Sequence, residues 1–268
     1  MTGLVSTPVS QRIETFFSGD PETAARAVVE RAERKDGGYA CLANVHVVVM
    51  ASRDGLVDGA LADAWAVFPD GWPVAWLQRR IGRTGASRVA GPDLMPLVIE
   101  LGQDRGLRHF LFGSTEDVVS RLRNELQRRL PGADIVGALA PPVGVDLWAP
   151  EVKASVRAAR PDIVWCALGA PKQELWMRSH HRELAPALLL GVGAAFDFIA
   201  GAKPRAPLAV QRLGLEWLHR LLSEPRRLWR RYLETNLVFV LVATRAIFEA
   251  RGSAARRRLN AGSSLRSR

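Results

Sequence analysis

Short, nearly uninterrupted apolar runs alternate with longer amphipathic segments, and this alternation does most to limit what the chain can become. "RHFLFGS" (108–114) leads into "TEDVVSRLRNELQRRLPG" (115–132), and "ADIVGAL" (133–139) leads to "PEVKASVRAARPD" (150–162). "DIVWCALGAP" (162–171) precedes "KQELWMRSHHREL" (172–184), and "PALLLGVGAAFDF" (186–198) reads as a further strand. Strands that are apolar on both sides need helices over both faces, and strands spaced by helical patterns imply βαβ units in a parallel sheet. The expected fold class is therefore α/β, a Rossmann-like parallel sheet flanked by helices. Nearer the start, "PETAARAVVERAERKD" (21–36) predicts a helix stopped by Gly37-Gly38, and the apolar "YACLANVHVVVMASRDG" (39–55) is interrupted at Asn44.

Beyond Pro207 the alternation stops. "LAVQRLGLEWLHRLLSEPRRLWRRYLETNLVFVLVATRAIFEA" reads as two or three helices with an arginine face, and "GSAARRRLNAGSSLRSR" as a disordered basic tail. The expected organisation is an α/β core over 1–206, a helical basic C-terminal appendage over 207–251 and the tail over 252–268. Charge divides the same way. Of the net +10, residues 201–268 hold fifteen Lys and Arg against four Glu, a net of +11, so the first two hundred residues sum to −1. A cationic end on a neutral core attracts phosphate, whether on nucleic acid, a membrane surface or a diphosphate. No run reaches the roughly 18 uncharged apolar residues of a spanning helix, because Arg245 breaks the longest one, and the N-terminus lacks the pattern of a signal peptide. The two cysteines, Cys41 and Cys166, lie in apolar runs and read as reduced core residues of a cytoplasmic protein.

In parallel α/β sheets, ligands gather outside the C-terminal ends of the strands. Asp70, Gly113-Ser114, Gly169-Ala170 and Gly191–Gly193 all fall at expected strand ends, four candidate lips of one cleft. Asp70, in "FPDGWPVAWLQRRIG" (68–82), is either a helix cap or a working acid. In "LGAPKQELW" (168–176), Pro171 suits a first helical turn, and Lys172 and Gln173 would sit at a helix N-terminus, which favours an anion. The same residues also suit an ordinary βα turn. Arg220, Arg227 and Arg230 are spaced seven and three apart, within one helical face interrupted by Pro225, and arginine forks suit phosphate oxygens. A solvated helix face would have the same spacing. Gly191 and Gly193 lack the third glycine and downstream acid of a dinucleotide fingerprint, which disfavours a nicotinamide oxidoreductase. The five histidines make no metal constellation, and no Asp-x-Asp is present for a divalent ion.

Seven pieces in order resemble the WecG/TagA/CpsF bacterial glycosyltransferases: "LANVHVV", "FPDGWPVAWLQRRIG", "RVAGPDLM", "RHFLFGS", "PDIVWCALGAPKQELWM", "GVGAAFDFIAGAKPRAP" and "QRLGLEWLHRLLSEPRRLWRRYL". They span roughly residues 40–233. The resemblance implies an inverting transfer of N-acetylmannosamine or a related hexose from a UDP-sugar to an undecaprenyl-diphosphate-linked sugar. The setting it implies is cell-wall (teichoic acid) or exopolysaccharide synthesis at the cytoplasmic membrane face. By that resemblance Asp70 is the catalytic base, and Asn44 positions sugar or base. Arg88 and Gln173 contact the nucleotide sugar, while Arg220, Arg227 and Arg230 neutralise the departing diphosphate. No cofactor and no metal are expected, and the partners are the UDP-sugar, the lipid-linked acceptor and an anionic membrane surface. Homo-oligomerisation stays open. The family often has Thr two residues before the motif asparagine, where this chain has Leu42, so donor or acceptor identity is expected to differ. A nucleic-acid-binding protein acting through the basic C-terminus is the alternative, one that no recognisable reading module supports.

Overall fold

A computed structural model describes residues 9–142 and 144–264, without the side chains of residues 9, 212, 227, 228, 231 and 253–264. Six strands form one sheet: β1 (Gly38–Ala43), β2 (Ala66–Pro69), β3 (Arg108–Gly113), β4 (Asp134–Leu139), β5 (Ile163–Ala167) and β6 (Leu188–Gly191). Their spatial order is β2-β1-β6-β5-β3-β4, and every neighbouring pair is parallel, as the alternation requires. Helices α1 (Val9–Glu14) and α2 (Pro21–Glu33) precede β1, and α3 (Val45–Ala51) and α4 (Gly55–Ala62) join it to β2. Helices α5 (Trp72–Arg80) and α6 (Gly91–Gln103) lead to β3, and α7 (Glu116–Arg129) connects to β4. The remaining crossovers are α8 (Pro150–Ala158) and α9 (Lys172–His180). After β6 come α10 (Ala195–Ile199), α11 (Leu208–Arg212), α12 (Glu216–Ser223) and α13 (Pro225–Ser264).

Successive strand residues face opposite sides of a sheet, and here both sides are dry. Ala40 and Leu42 of β1 join Leu111, Trp165 and Leu190 in a core covered by α2, α6, α7 and α10. Tyr39, Cys41 and Ala43 join Phe112, Cys166 and Leu189 in a second core under α3, α5, α8 and α9. Cys41 and Cys166 are buried free thiols, and burial pushes both well above the ordinary thiol range. The second core also receives Phe239, Ala243 and Ala246, spaced four and three apart along α13. That stripe seats the appendage on α3 and α1, and Ser10 Oγ donates to Glu249 Oε2 at 2.8 Å beside it.

Three local expectations change, and the apolar run after Asn44, left unassigned by its pattern, takes a definite form. The valine-rich stretch after Asn44 forms α3, because Asn44 Oδ1 accepts from the N–H groups of His46 and Val47 at 3.0 and 3.2 Å. An N-cap of this kind, with an apolar face to bury, overrides the strand preference of valine. The strand expected over 186–198 ends at Gly191, and Ala195–Ile199 turns helical. Pro171 precedes α9 as its cap residue, after a cis Ala170–Pro171 bond, and is not in its first turn. The backbone of 252–264, expected to be disordered, continues α13, consistent with the helix-favouring Ala, Arg and Leu of "AARRRL" (254–259). Residues 265–268 of the expected tail lie outside the described residues.

At the end of β3 the chain demands glycine. Gly113 has φ 113°, and a Cβ there would stand 2.6 Å from the carbonyl carbon and oxygen of Ala167 on β5. Gly113→Ala is expected to destabilise the fold by about 1–3 kcal/mol from the backbone conformation alone, with the clash adding to it. A urea denaturation midpoint unchanged from wild type would refute this account.

Candidate active site

Where the C-terminal ends of the strands meet the appendage, a cavity of about 560 Å³ opens. Its floor includes Asp70 after β2, Ser114 after β3, Gly169 and Ala170 after β5, and Gly191 and Gly193 at the end of β6. The expected lips therefore converge on one cleft. Its roof comes from the appendage, with Trp217 and Arg220 of α12 and Tyr232, Asn236 and Phe239 of α13.

Asp70 is not a helix cap. The cap residue of α5 is Gly71, at φ 94°, and no side chain bonds the helix N-terminus. The Asp70 N–H donates to the Ala43 carbonyl at 3.0 Å, which ties the turn to β1 and leaves the carboxyl to the cavity. Burial raises its pKa to about 6, against Arg88, and Glu216 raises it further. A hydrogen bond from the Asn44 side chain and the charge of Arg220 also pull it down. Asn44 thus serves two neighbours, since its oxygen caps α3 while its amide faces Asp70.

Arg88 lines the cavity but is already engaged. It pairs with Glu216 Oε2 at 2.8 Å and Asp93 Oδ2 at 3.3 Å. Arg205 forks onto both Asp93 oxygens at 2.6 and 2.7 Å and reaches Glu216 Oε1 at 3.3 Å. Two arginines and two acids thereby tie the core to the first turn of α12, and a bidentate fork is among the strongest ion-pair geometries. Farther along α12, the Arg220 guanidinium lies 5.7 Å from the Phe198 ring centroid, and its buried Nε has no hydrogen-bond partner. Lys203 also lines the cavity, 3.5 Å from Asp197 and 3.7 Å from Glu224.

Gln173 lies on the cavity wall, buried to 3% exposure. Its Nε2 donates to Glu174 Oε1 at 2.8 Å, and its Oε1 has no partner. Arg230 is not brought to the cavity: it is exposed, its guanidinium 5.2 Å from the ring centroid of Trp229. The side chain of Arg227 lies outside the described residues. So Asp70, Asn44, Arg88, Gln173 and Arg220 line one cleft, and Arg230 does not. The roles of Lys203, Arg205, Glu174 and Glu216 were not visible in the sequence alone. Their signal lay in "GAKPRAP" and in the dipeptide Gln173-Glu174, but only the fold shows what each faces. Among the described residues, no three His, Cys, Asp or Glu side chains are grouped to hold a metal ion. His109, buried on β3, has its pKa depressed to about 4 by burial, and its Nδ1 accepts from Trp165 Nε1 at 3.3 Å, a core role.

The model of the Glycosyl transferase WecG/TagA/CpsF family matches residues 13–253, the core together with its appendage. The chain belongs to that family. Among members similar to it, an N-acetylglucosaminyldiphosphoundecaprenol N-acetyl-beta-D-mannosaminyltransferase of Bacillus spizizenii (strain W23) is 31% identical over 201 residues, covering 75% of this chain and 77% of that one. A protein of the same name from Staphylococcus aureus (strain MW2) is 29% identical over 188 residues, covering 70% and 73%. In this WecG/TagA/CpsF glycosyltransferase the family match runs through the cleft floor and its roof alike.

The raised pKa of Asp70 has a consequence for stability. The folded state holds this proton more tightly than the unfolded chain, so the group's contribution is present below pH about 4 and is lost as pH rises through about 6. Asp70→Asn removes that cost. It is expected to stabilise the protein at pH 8 by on the order of 1–2 kcal/mol, with no gain at pH 4. Chemical denaturation at the two pH values checks this, and equal effects at both would refute it.

Proposed function

We propose that this chain is an inverting transferase that moves N-acetylmannosamine or a related hexose from a UDP-sugar onto an undecaprenyl-diphosphate-linked sugar. The observation that carries this reading is the pairing, in one cavity, of a desolvated carboxylate that titrates near 6 with a half-buried arginine whose buried Nε has no partner. The names of the relatives supply the substrate class. In the reaction, the ionised Asp70 accepts the proton of an acceptor hydroxyl as that oxygen bonds to the anomeric carbon. The bond from that carbon to the diphosphate oxygen breaks in line, and UDP leaves with the electron pair. A base with a pKa near 6 is ionised at neutral pH yet basic enough to hold the proton in transit. Arg220, whose Nε lacks a partner, meets the charge that builds on the leaving diphosphate, and Lys203 is another cation of the cavity lining. Cationic side chains and the lack of an Asp-x-Asp pair support transfer that needs no divalent ion.

The acceptor's lipid tail asks for a membrane surface. No helix among the described residues is long and apolar enough to cross a bilayer. The appendage instead exposes Leu213, Leu222, Leu237, Leu241 and Phe248 beside its arginines. An apolar helix face with basic neighbours suits the headgroup region of an anionic leaflet, and this supports the reading that the enzyme works on the inner face of the cell membrane.

Purified protein, a lipid-diphosphate-N-acetylglucosamine analogue and a panel of UDP-N-acetylmannosamine, UDP-N-acetylmannosaminuronic acid, UDP-glucose and UDP-N-acetylglucosamine test the reaction. Transfer is expected from one donor and to persist in EDTA. The value of kcat/KM should fall as pH drops below about 6, where Asp70 takes up its proton. Asp70→Asn is expected to lower kcat by about 10²–10⁴-fold, and full activity of that variant would remove the base role. Wild-type protein should sediment with anionic but not neutral vesicles, and Leu237→Glu with Leu241→Glu should weaken that binding.

A further inference from the structure

Gln173 and Glu174 begin helix α9 against the end of β6, and neither is explained by packing alone. Both side chains are buried, to 3% and 0% exposure. Glu174 has no cation paired with it among the described residues. Its neighbours include the thiols of Cys41 and Cys166, and its side-chain hydrogen bond comes from Gln173 Nε2 at 2.8 Å. Burial pushes the Glu174 pKa up, and its Oε2 has no partner; in its ionised form the carboxylate only accepts hydrogen bonds, so it dictates which end of the neighbouring amide turns towards it. The nitrogen faces Glu174, and the carbonyl oxygen is left over. That oxygen is buried, has no partner and belongs to a residue of the cavity wall. Around it the chain is glycine: a Cβ on Gly191 would stand 3.2 Å from Gln173 Nε2, and one on Gly193 would stand 3.9 Å from Oε1. The wall is open beside an acceptor that wants a donor.

We propose that Glu174 is a positioning residue that holds the Gln173 amide by its nitrogen, so that the Gln173 carbonyl oxygen accepts a hydrogen bond from an N–H or O–H of the nucleotide sugar. The inference rests on the sugar-transfer reading above and adds to it a reason for a buried acid that touches no substrate. It also sets a polarity for this wall of the cleft: the ligand must bring a donor there, and a ligand bringing only an acceptor is rejected.

A double-mutant cycle in transfer kinetics tests it, using Glu174→Gln, Gln173→Ala and the double variant at pH 8, with binding of the UDP-sugar measured by calorimetry. Glu174→Gln keeps the side-chain volume and removes a buried charge, so its Tm should match or exceed that of wild type. Its amide can offer either end, so the orientation of Gln173 is no longer dictated. Each single variant is expected to raise the KM and the Kd for the UDP-sugar by about tenfold, the order of one buried hydrogen bond, with a smaller change in kcat. The double variant should be no worse than Gln173→Ala, because Glu174 acts only through its neighbour. A wild-type KM in Glu174→Gln, or effects that multiply in the double variant, would overturn the positioning role while leaving the sugar-transfer reading intact. A wild-type protein that neither transfers sugar nor binds the UDP-sugar overturns that reading, and the inference with it.

Discussion

Asp70 is held out of water without being silenced, and the arrangement of the cleft follows from that constraint. Burial alone favours the neutral acid. Arg88, Asn44 and Arg220 each favour the anion, and Glu216 opposes them, so the carboxyl titrates near 6. These four neighbours come from three parts of the chain: the β1–α3 junction, the loop before α6, and α12, which supplies both Arg220 and Glu216. The side chains around Asp70 therefore depend on the appendage being in place. A core without α12 would keep the acid and lose both Arg220 and Glu216.

Two kinds of contact put α12 there. The buried stripe of Phe239, Ala243 and Ala246 seats α13 on the face of the sheet that α3 covers, where apolar burial is not direction-specific. The network of Arg88, Asp93, Arg205 and Glu216 sets direction, because the Arg205 fork admits little rotation about Asp93. Glu216 is bound by both arginines and also raises the pKa of Asp70, so docking and proton affinity share a residue. An anion entering beside Arg88 would meet a guanidinium already paired with Glu216 and Asp93.

Most of the core was legible because its strands are doubly buried. Runs such as "DIVWCAL" can only be central strands or buried helix, and their length with a glycine turn after them decides for strands. The cleft was legible for the same reason, since strand ends marked by Asp70, Ser114, Gly169 and Gly191 must share one edge of a parallel sheet. The Val45–Ala51 helix was not legible from composition, because four valines favour a strand and only the Asn44 cap decides for a helix. The appendage arginines show the limit more sharply. Helical spacing put Arg220 and Arg230 on one face, yet the break at Glu224 between α12 and α13 lets only Arg220 turn inward. Pairwise partners such as Arg205 with Asp93, 112 residues apart, have no local signature at all.

Leu42 is where the particular chemistry of this chain is most open to its own sequence. It is 4% exposed, packs into the core of the sheet and still borders the cavity, two residues before the asparagine that faces Asp70. A Cβ on Gly91 would lie 3.4 Å from Leu42 Cδ2, so its branched end fills the space between β1 and the start of α6. A threonine there would offer a hydroxyl to a ligand, and leucine offers only bulk. Site discrimination built on a hydrogen bond is lost when the donor is removed, whereas discrimination built on shape is changed only modestly by a methylene. The Leu42 side chain can therefore contribute to discrimination by shape, but not by a hydrogen bond of its own.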